Sequence, residues 1–283
     1  MMQQTNLKYR IVKDKVFKYF IYLFTMLSTI PLILIFIYII GKGISAINWE
    51  FFVELPKPPG EIGGGIANAL VGSFLLILLS VVMAVPPAIA LGIYLSEDKG
   101  TKLAKWVRNA VEVLQGIPSI VLGIIAYVWI VMPMGEFSTF AGAVSLAFMM
   151  IPVVSKTTEE TLALVPNSLK EASHALGVPY YKTVLKVILP SGLSGIITGV
   201  LLAVSRIAGE TAPLLFTAFG NPFMNWNVLK PSNSLPLLIF NYATSPFENW
   251  QRIAWGASFV LIVAILFLNI LSKVLSRKWK VKY

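Results

Sequence analysis

The chain has 283 residues, 57% apolar and only 13% charged, with a mean hydropathy of +0.77. Soluble domains run about 45–50% apolar and about 25% charged, so the solvent for this surface must be lipid; disorder, collagen and coiled coil fall with the same numbers. The absence of cysteine and the single histidine, His174, exclude disulfides, thiol catalysis and a histidine-pair metal centre, and the formal charge of +10 poses the question of where the cations lie.

A membrane helix needs roughly 20 apolar residues to cross about 30 Å of hydrocarbon. Windows free of Asp, Glu, Lys and Arg predict six spans, at 19–41, 62–96, 113–135, 137–155, 187–205 and 253–272. The fold class is therefore all-α and polytopic. The second window is long enough for a span plus a re-entrant or interfacial piece. The first span follows a basic stretch but is longer than a signal-peptide core, and no small-residue cleavage site follows it, so it reads as uncleaved.

Between spans one and two, Pro56-Lys57-Pro58-Pro59-Gly60-Glu61-Ile62-Gly63-Gly64-Gly65 is turn material. Pro31, Pro86, Pro87, Pro118 and Pro152 fall in or at the ends of spans. Each removes a backbone donor and can kink a helix; the candidate for a pathway kink is Gly116-Ile117-Pro118-Ser119, where Gly116, Pro118 and the Ser119 hydroxyl sit together. The uncharged run 211–229 holds Pro213, Gly220, Pro222 and three asparagines, and reads as an irregular external segment. Leu235–Tyr242 is apolar but too short to span, and is expected at the outer interface.

Cytoplasmic loops are rich in Lys and Arg. Lys8, Arg10, Lys13, Lys15 and Lys18 precede span one; Lys99, Lys102, Lys105 and Arg108 lie between spans two and three; Lys156, Lys170, Lys182 and Lys186 between four and five; Lys273, Arg277, Lys278, Lys280 and Lys282 after span six. The other side has Lys42, Lys57, Lys230 and Arg252. This asymmetry predicts both termini in the cytoplasm. It accounts for the charge without nucleic acid, and the cations can also contact anionic lipid. The expected organisation is a cytoplasmic tail at 1–18, a transmembrane domain at 19–272 and a second cytoplasmic tail at 273–283.

The loop 156–190 holds the first motif. Ser168-Leu169-Lys170-Glu171 fits a capping box with Ser168 as cap. The helix would stop at Gly177, with Pro179 behind it, and a second helix would start near Tyr180 and pass through Leu189-Pro190 into span five. By itself this could be a solvated connector or a docking element. Glu171-Ala172-Ser173, Gly177 and Val187-Ile188-Leu189-Pro190 resemble, in type and spacing, the EAA loop of ABC importer permeases, departing at Ser173 for Ala and Val187 for Ile. The resemblance implies a type I importer permease (MetI-like) fold and a coupling helix seated in a cleft of a separate ATPase. Ala172, Ser173 and Ala175 would allow close approach, and Gly177 would set the turn.

Span five carries Arg206 and, four residues on, Glu210. Residues four apart share a helix face, and an arginine at mid-helix costs roughly 2.5–3.5 kcal/mol on insertion scales. If the span starts near Ser191, Arg206 lies in its outer half, expected to face the bundle interior. Two readings stand: a structural salt bridge, or an anion site in which the guanidinium fork meets a tetrahedral oxyanion, Glu210 neutralises it when empty, and Thr211 adds a hydroxyl. Arg206-Ile207-Ala208-Gly209-Glu210-Thr211-Ala212-Pro213-Leu214-Leu215, together with Pro58–Ala69 and Gly116–Val121, is similar to phosphate ABC importer permeases of the PstA type, over roughly residues 56–272.

That resemblance implies a non-catalytic subunit of a prokaryotic cytoplasmic (inner) membrane importer, with Arg206 and Glu210 on the phosphate path. It implies a PstC-type second permease, a PstB-type ATPase dimer that binds ATP and Mg, and a PstS-type phosphate-binding protein. The chain itself would hold no cofactor or metal: it has no phosphate-binding P-loop and no His-Glu-x-x-His. Another oxyanion as cargo, an ATP-independent secondary transporter and a membrane scaffold are the competing readings.

Overall fold

The computed structural model describes residues 7–98 and 100–278. Residues 1–6, Lys99 and the distal part of the C-terminal tail, including Lys280 and Lys282, lie outside them. The described chain is almost wholly helical, as lipid requires of a backbone that must satisfy its own hydrogen bonds. The helices are α1 (Leu7–Gly43), α2 (Trp49–Val53), α3 (Ala67–Glu97), α4 (Lys102–Gly116), α5 (Ser119–Met134), α6 (Thr139–Ala163), α7 (Asn167–Ala175), α8 (Tyr180–Ile207), α9 (Ala212–Leu215), α10 (Leu235–Ala243) and α11 (Glu248–Lys278). Five are long and apolar enough to cross a membrane, six when the bent pair α4–α5 is taken as one span.

α6 is the centre, packed against α3, α5 and α8. The main core joins Leu76 and Ala84 of α3, Leu122 of α5, Leu146, Met150 and Val154 of α6, and Ala203 and Ile207 of α8. Small residues let these helices approach closely, as they do where lipid supplies no hydrophobic drive. Gly192, Gly195 and Gly199 of α8 lie on Leu162, Thr161 and Thr157 of α6, and a methyl at any of them would collide. By contrast, the apolar stretch of α1 buries nothing in the bundle and meets α11 near its own C-terminal end, where Tyr38 packs edge-on to Trp255 at 5.1 Å.

Several helix bounds differ from the hydropathy windows, for physical reasons. α1 is helical from Leu7, so the described part of the 1–18 segment is continuous helix with the first span. Residues 62–66 are irregular; their glycines include Gly63 and Gly64 with positive φ. The predicted third span is broken, because α4 and α5 meet at 100° across Ile117 and Pro118. α5 is left short, about 24 Å at 1.5 Å per residue. α6 runs eight residues past its window to Ala163, because the charges of Lys156, Glu159 and Glu160 end the hydropathy signal but not the helix.

The run 211–229 is irregular apart from α9, as expected. With the residues up to 232 it caps α6: the backbone N–H groups of Ser138, Thr139 and Phe140 donate to the carbonyls of Thr217, Lys230 and Val228 at 2.8–3.0 Å, and Ser138 Oγ accepts from Ala141. These are donors a helix start otherwise leaves unsatisfied. α10 is packed into the bundle: Leu235, Leu238 and Tyr242 are buried in a second core with Phe51, Ile66, Ile253 and Ala257.

Candidate functional site

Two regions hold the predicted residues. The first is the end of α8. Arg206 is not at mid-helix; it occupies the last turn, since the helix stops at Ile207. The stop lies within the bundle, for Ile207 and Ala208 border a small void with Leu76, Leu146 and Leu214. A tight turn follows, in which Gly209 N–H donates to the Arg206 carbonyl at 3.3 Å and Glu210 N–H to the Ile207 carbonyl at 3.1 Å. Glu210 is thus beyond the helix, and its Oε1 stands 3.9 Å from Arg206 Nε. That is an ion pair without a hydrogen bond.

The Arg206 side chain is 49% exposed and that of Glu210 21%. The expectation that Arg206 faces the interior of its own bundle is therefore corrected. Ala203, Val204 and Ile207 take the buried face of α8, and a residue one position from Ile207 points about 100° away from it. Leu202, on the same side as Arg206, is likewise exposed. Thr211 is half-buried, and its carbonyl accepts from Leu214 and Leu215 N–H, which starts α9. Pro213 of α9 presses on Gly123 of α5, so the segment that begins at Gly116, Pro118 and Ser119 and the segment that begins at Arg206 pack together. Gly116 and Pro118 are exposed and Ser119 half-buried at the bend itself.

The second region is the loop joining α6 to α8. α7 begins after Pro166, not after a Ser168 cap; Ser168 lies inside the helix, and Pro166 supplies the extended residue with no side-chain cap. The helix has therefore begun before Ser168, which is placed too late to cap it. Gly177 has φ +72, the left-handed conformation that ends a helix. Its N–H donates to the His174 carbonyl at 2.9 Å, and that of Val178 to the Ser173 carbonyl at 3.2 Å.

Glu171, Ala172, Ala175 and Gly177 are exposed on α7 and its turn. Ser173 is not available for close approach: it is buried, with its hydroxyl 2.8 Å from that of Thr183. The departure from alanine at this position thus has a structural use, fastening α7 to the base of α8. His174 stacks on Tyr180 at 6.0 Å. Pro190 follows a widened turn, Val184–Ile188, in which Leu189 N–H reaches back to the Val184 carbonyl. A wider turn accommodates the donor a proline lacks.

Three residues of this region carry no motif. Glu97, the last residue of α3, accepts from Lys170 Nζ at 2.6 Å and from the Tyr180 hydroxyl at 2.7 Å. Close by, Arg108 of α4 pairs with Glu159 of α6 at 2.7 Å and donates to the Leu95 carbonyl at 3.4 Å. The only local sign in the sequence is an acidic residue closing an apolar run in front of a basic loop. Among the described residues, no group of three His, Asp or Glu side chains could hold a metal ion.

A multi-pass helical bundle that ends one membrane helix in its own interior and holds out a short helix beside its polar loops has the build of a type I ABC importer permease. Residues 88–281 match the family described as binding-protein-dependent transport system inner membrane component, and the chain belongs to that family. It is 44% identical over 242 residues to the phosphate transport system permease protein PstA of Yersinia pestis, covering 85% of this chain and 82% of that protein. To the protein of the same name from Pasteurella multocida it is 38% identical over 274 residues, covering 96% and 98%.

Among solved structures, a bacterial ABC transporter involved in the import of the acidic polysaccharide alginate matches with a TM-score of 0.62 at 17% identity, over 95% of this chain and 99% of that chain. The MetNI methionine ABC transporter in an inward-facing conformation matches with a TM-score of 0.59 at 18% identity, over 76% and 94%. These two likenesses concern the fold.

Proposed function

We propose that this chain is a permease subunit of an ATP-driven importer of inorganic phosphate, forming half of the translocation pathway. The cargo follows from relatives named as phosphate permeases, matched over most of both chains. The geometric observation that carries the site is Arg206: a guanidinium at the end of a helix that stops inside the bundle, half exposed and only loosely paired with Glu210. A planar fork of donors suits a tetrahedral oxyanion. Glu210 offsets the charge when phosphate is absent, and Thr211 offers a hydroxyl nearby. Because Arg206 stands on the surface of the single chain, a second permease of the PstC type completes the pathway.

The subunit performs no chemistry of its own. ATP and Mg are held by a PstB-type ATPase dimer, which seats the exposed face of α7 around Glu171, Ala172 and Ala175. A PstS-type protein delivers phosphate from outside. The chain lies in the cytoplasmic (inner) membrane with both termini and α7 inside, as its basic loops indicate.

Reconstituted with these partners, the complex is expected to import labelled phosphate only with ATP. Arg206→Gln is expected to abolish uptake while the complex still assembles. ATP-independent uptake overturns the transport reading, and loss of assembly in the variant overturns the anion site in favour of a structural salt bridge.

A further inference from the structure

Glu97, the last residue of α3, binds two elements 73 and 83 residues further along the chain. Its two carboxylate oxygens are used separately, Oε1 by Lys170 of α7 and Oε2 by Tyr180 at the base of α8. The pair is partly buried, with the Glu97 side chain 14% exposed and that of Lys170 22%. α7 is also fastened to the base of α8 by Ser173–Thr183, by the Val178–Ser173 backbone bond and by the His174–Tyr180 stack. α7 and the start of α8 therefore form one body, and Glu97 ties that body to α3.

From this tie α3 runs 31 residues to the opposite end of the bundle. There Asn68 Nδ2 donates to the Asn221 carbonyl at 2.6 Å, and Ser73 Oγ accepts from Leu235 N–H at 2.8 Å. Along its length Gly92 seats it on Ser155 and Thr158 of α6. One continuous helix, with Pro86 and Pro87 in its interior, thus touches α7 and the base of α8 at one end and the segment 221–235, up to the start of α10, at the other.

We propose that Glu97 is a positioning residue for transport: by locking α7 to α3 it makes α3 a second transmission rod, beside α8, that carries movement of α7 to the segment 221–235. The proposal rests on the reading above that α7 engages an ATPase. A fixed lock, rather than one that opens in the cycle, is what the geometry favours, since both oxygens are engaged and turning the carboxylate breaks at least one bond.

The test uses the assembled complex in vesicles, with labelled phosphate and ATP. Glu97→Ala, which removes both hydrogen bonds, is expected to lower phosphate imported per ATP hydrolysed at least about tenfold, the size of one charge-assisted hydrogen bond, with assembly retained. Lys170→Glu is expected to do the same, and Glu97→Lys combined with Lys170→Glu to restore the ratio. An unchanged ratio in Glu97→Ala overturns the proposal. If Glu97→Ala does not assemble, the charge-exchanged pair decides: assembly without recovery of the ratio overturns it.

A cargo-independent arm uses spin labels at Asp98→Cys and Leu176→Cys in a complex whose partner subunits have their cysteines replaced; this chain has none of its own. Their separation is expected to stay constant on adding ATP, and to change with ATP when Glu97 is also Ala. A separation that changes with ATP while Glu97 is intact overturns the lock, whatever the cargo. Wild-type complex that imports no phosphate counts against the proposed function alone.

Discussion

Arg206 sits where a helix C-terminus concentrates partial negative charge, a position that favours a cation. Its charge is thus supported from behind by the helix end and from the side by Glu210, and neither group saturates its donors. Arg206→Lys keeps the charge but loses the planar fork, so phosphate uptake is expected to fall about tenfold with assembly unchanged; initial rates in vesicles check this, and wild-type rates would remove oxyanion recognition as the reason for arginine. Arg206 and Glu210 were legible because charges stand out in an apolar run. Glu97 was not, because its partners lie 73 and 83 residues away and no local period links them. Ser168 misled for a different, local reason: its cap sequence lies inside a helix that already starts after the extended Pro166.

The helices were legible as hydrophobic runs, since lipid imposes a length and a composition on each. Their ends were not, because a helix continues past the hydrocarbon for as long as its backbone stays paired; α6 carries Lys156, Glu159 and Glu160 in regular helix for this reason. The sequence Gly116-Ile117-Pro118-Ser119 marked the site of a break, but the 100° angle depends on α4 packing against α6 at one side and α5 against α9 at the other. Between α6 and α8 the glycines decide the spacing. Gly199→Val would put its Cβ against the Thr157 side chain, an overpacking that costs roughly 1–3 kcal/mol. The purified complex is expected to unfold at a lower temperature, whereas Gly41→Val, where nothing lies within 4 Å of an added Cβ, is expected to leave the midpoint unchanged. Equal midpoints for the two variants would show that the α6–α8 contact does not limit stability.

The bundle as a whole separates two polar ends. One gathers Glu97, Arg108, Glu159, Lys170 and Tyr180; the other gathers Glu136, Lys230, Asn249 and the 57–63 turn, where Asn249 Nδ2 donates to the carbonyls of Glu61 and Gly63. The charge asymmetry of the loops was enough to assign residues to these ends before any packing was known. With no native cysteine, single reporters can test the proposed orientation. A membrane-impermeant maleimide is expected to label Trp226→Cys in intact cells, and Leu176→Cys only after the membrane is opened; both native side chains are well exposed. The reverse pattern would invert the topology.

The bend before α5 has a consequence for the electrostatic barrier. At about 24 Å, α5 falls short of the hydrocarbon's about 30 Å thickness. It is flanked by irregular backbone, at the Pro118 bend on one side and in the turn after Met134 on the other. If the phosphate path proposed above runs alongside α5, the ion would cross a thinner dielectric slab than the surrounding bilayer imposes, with a smaller Born cost.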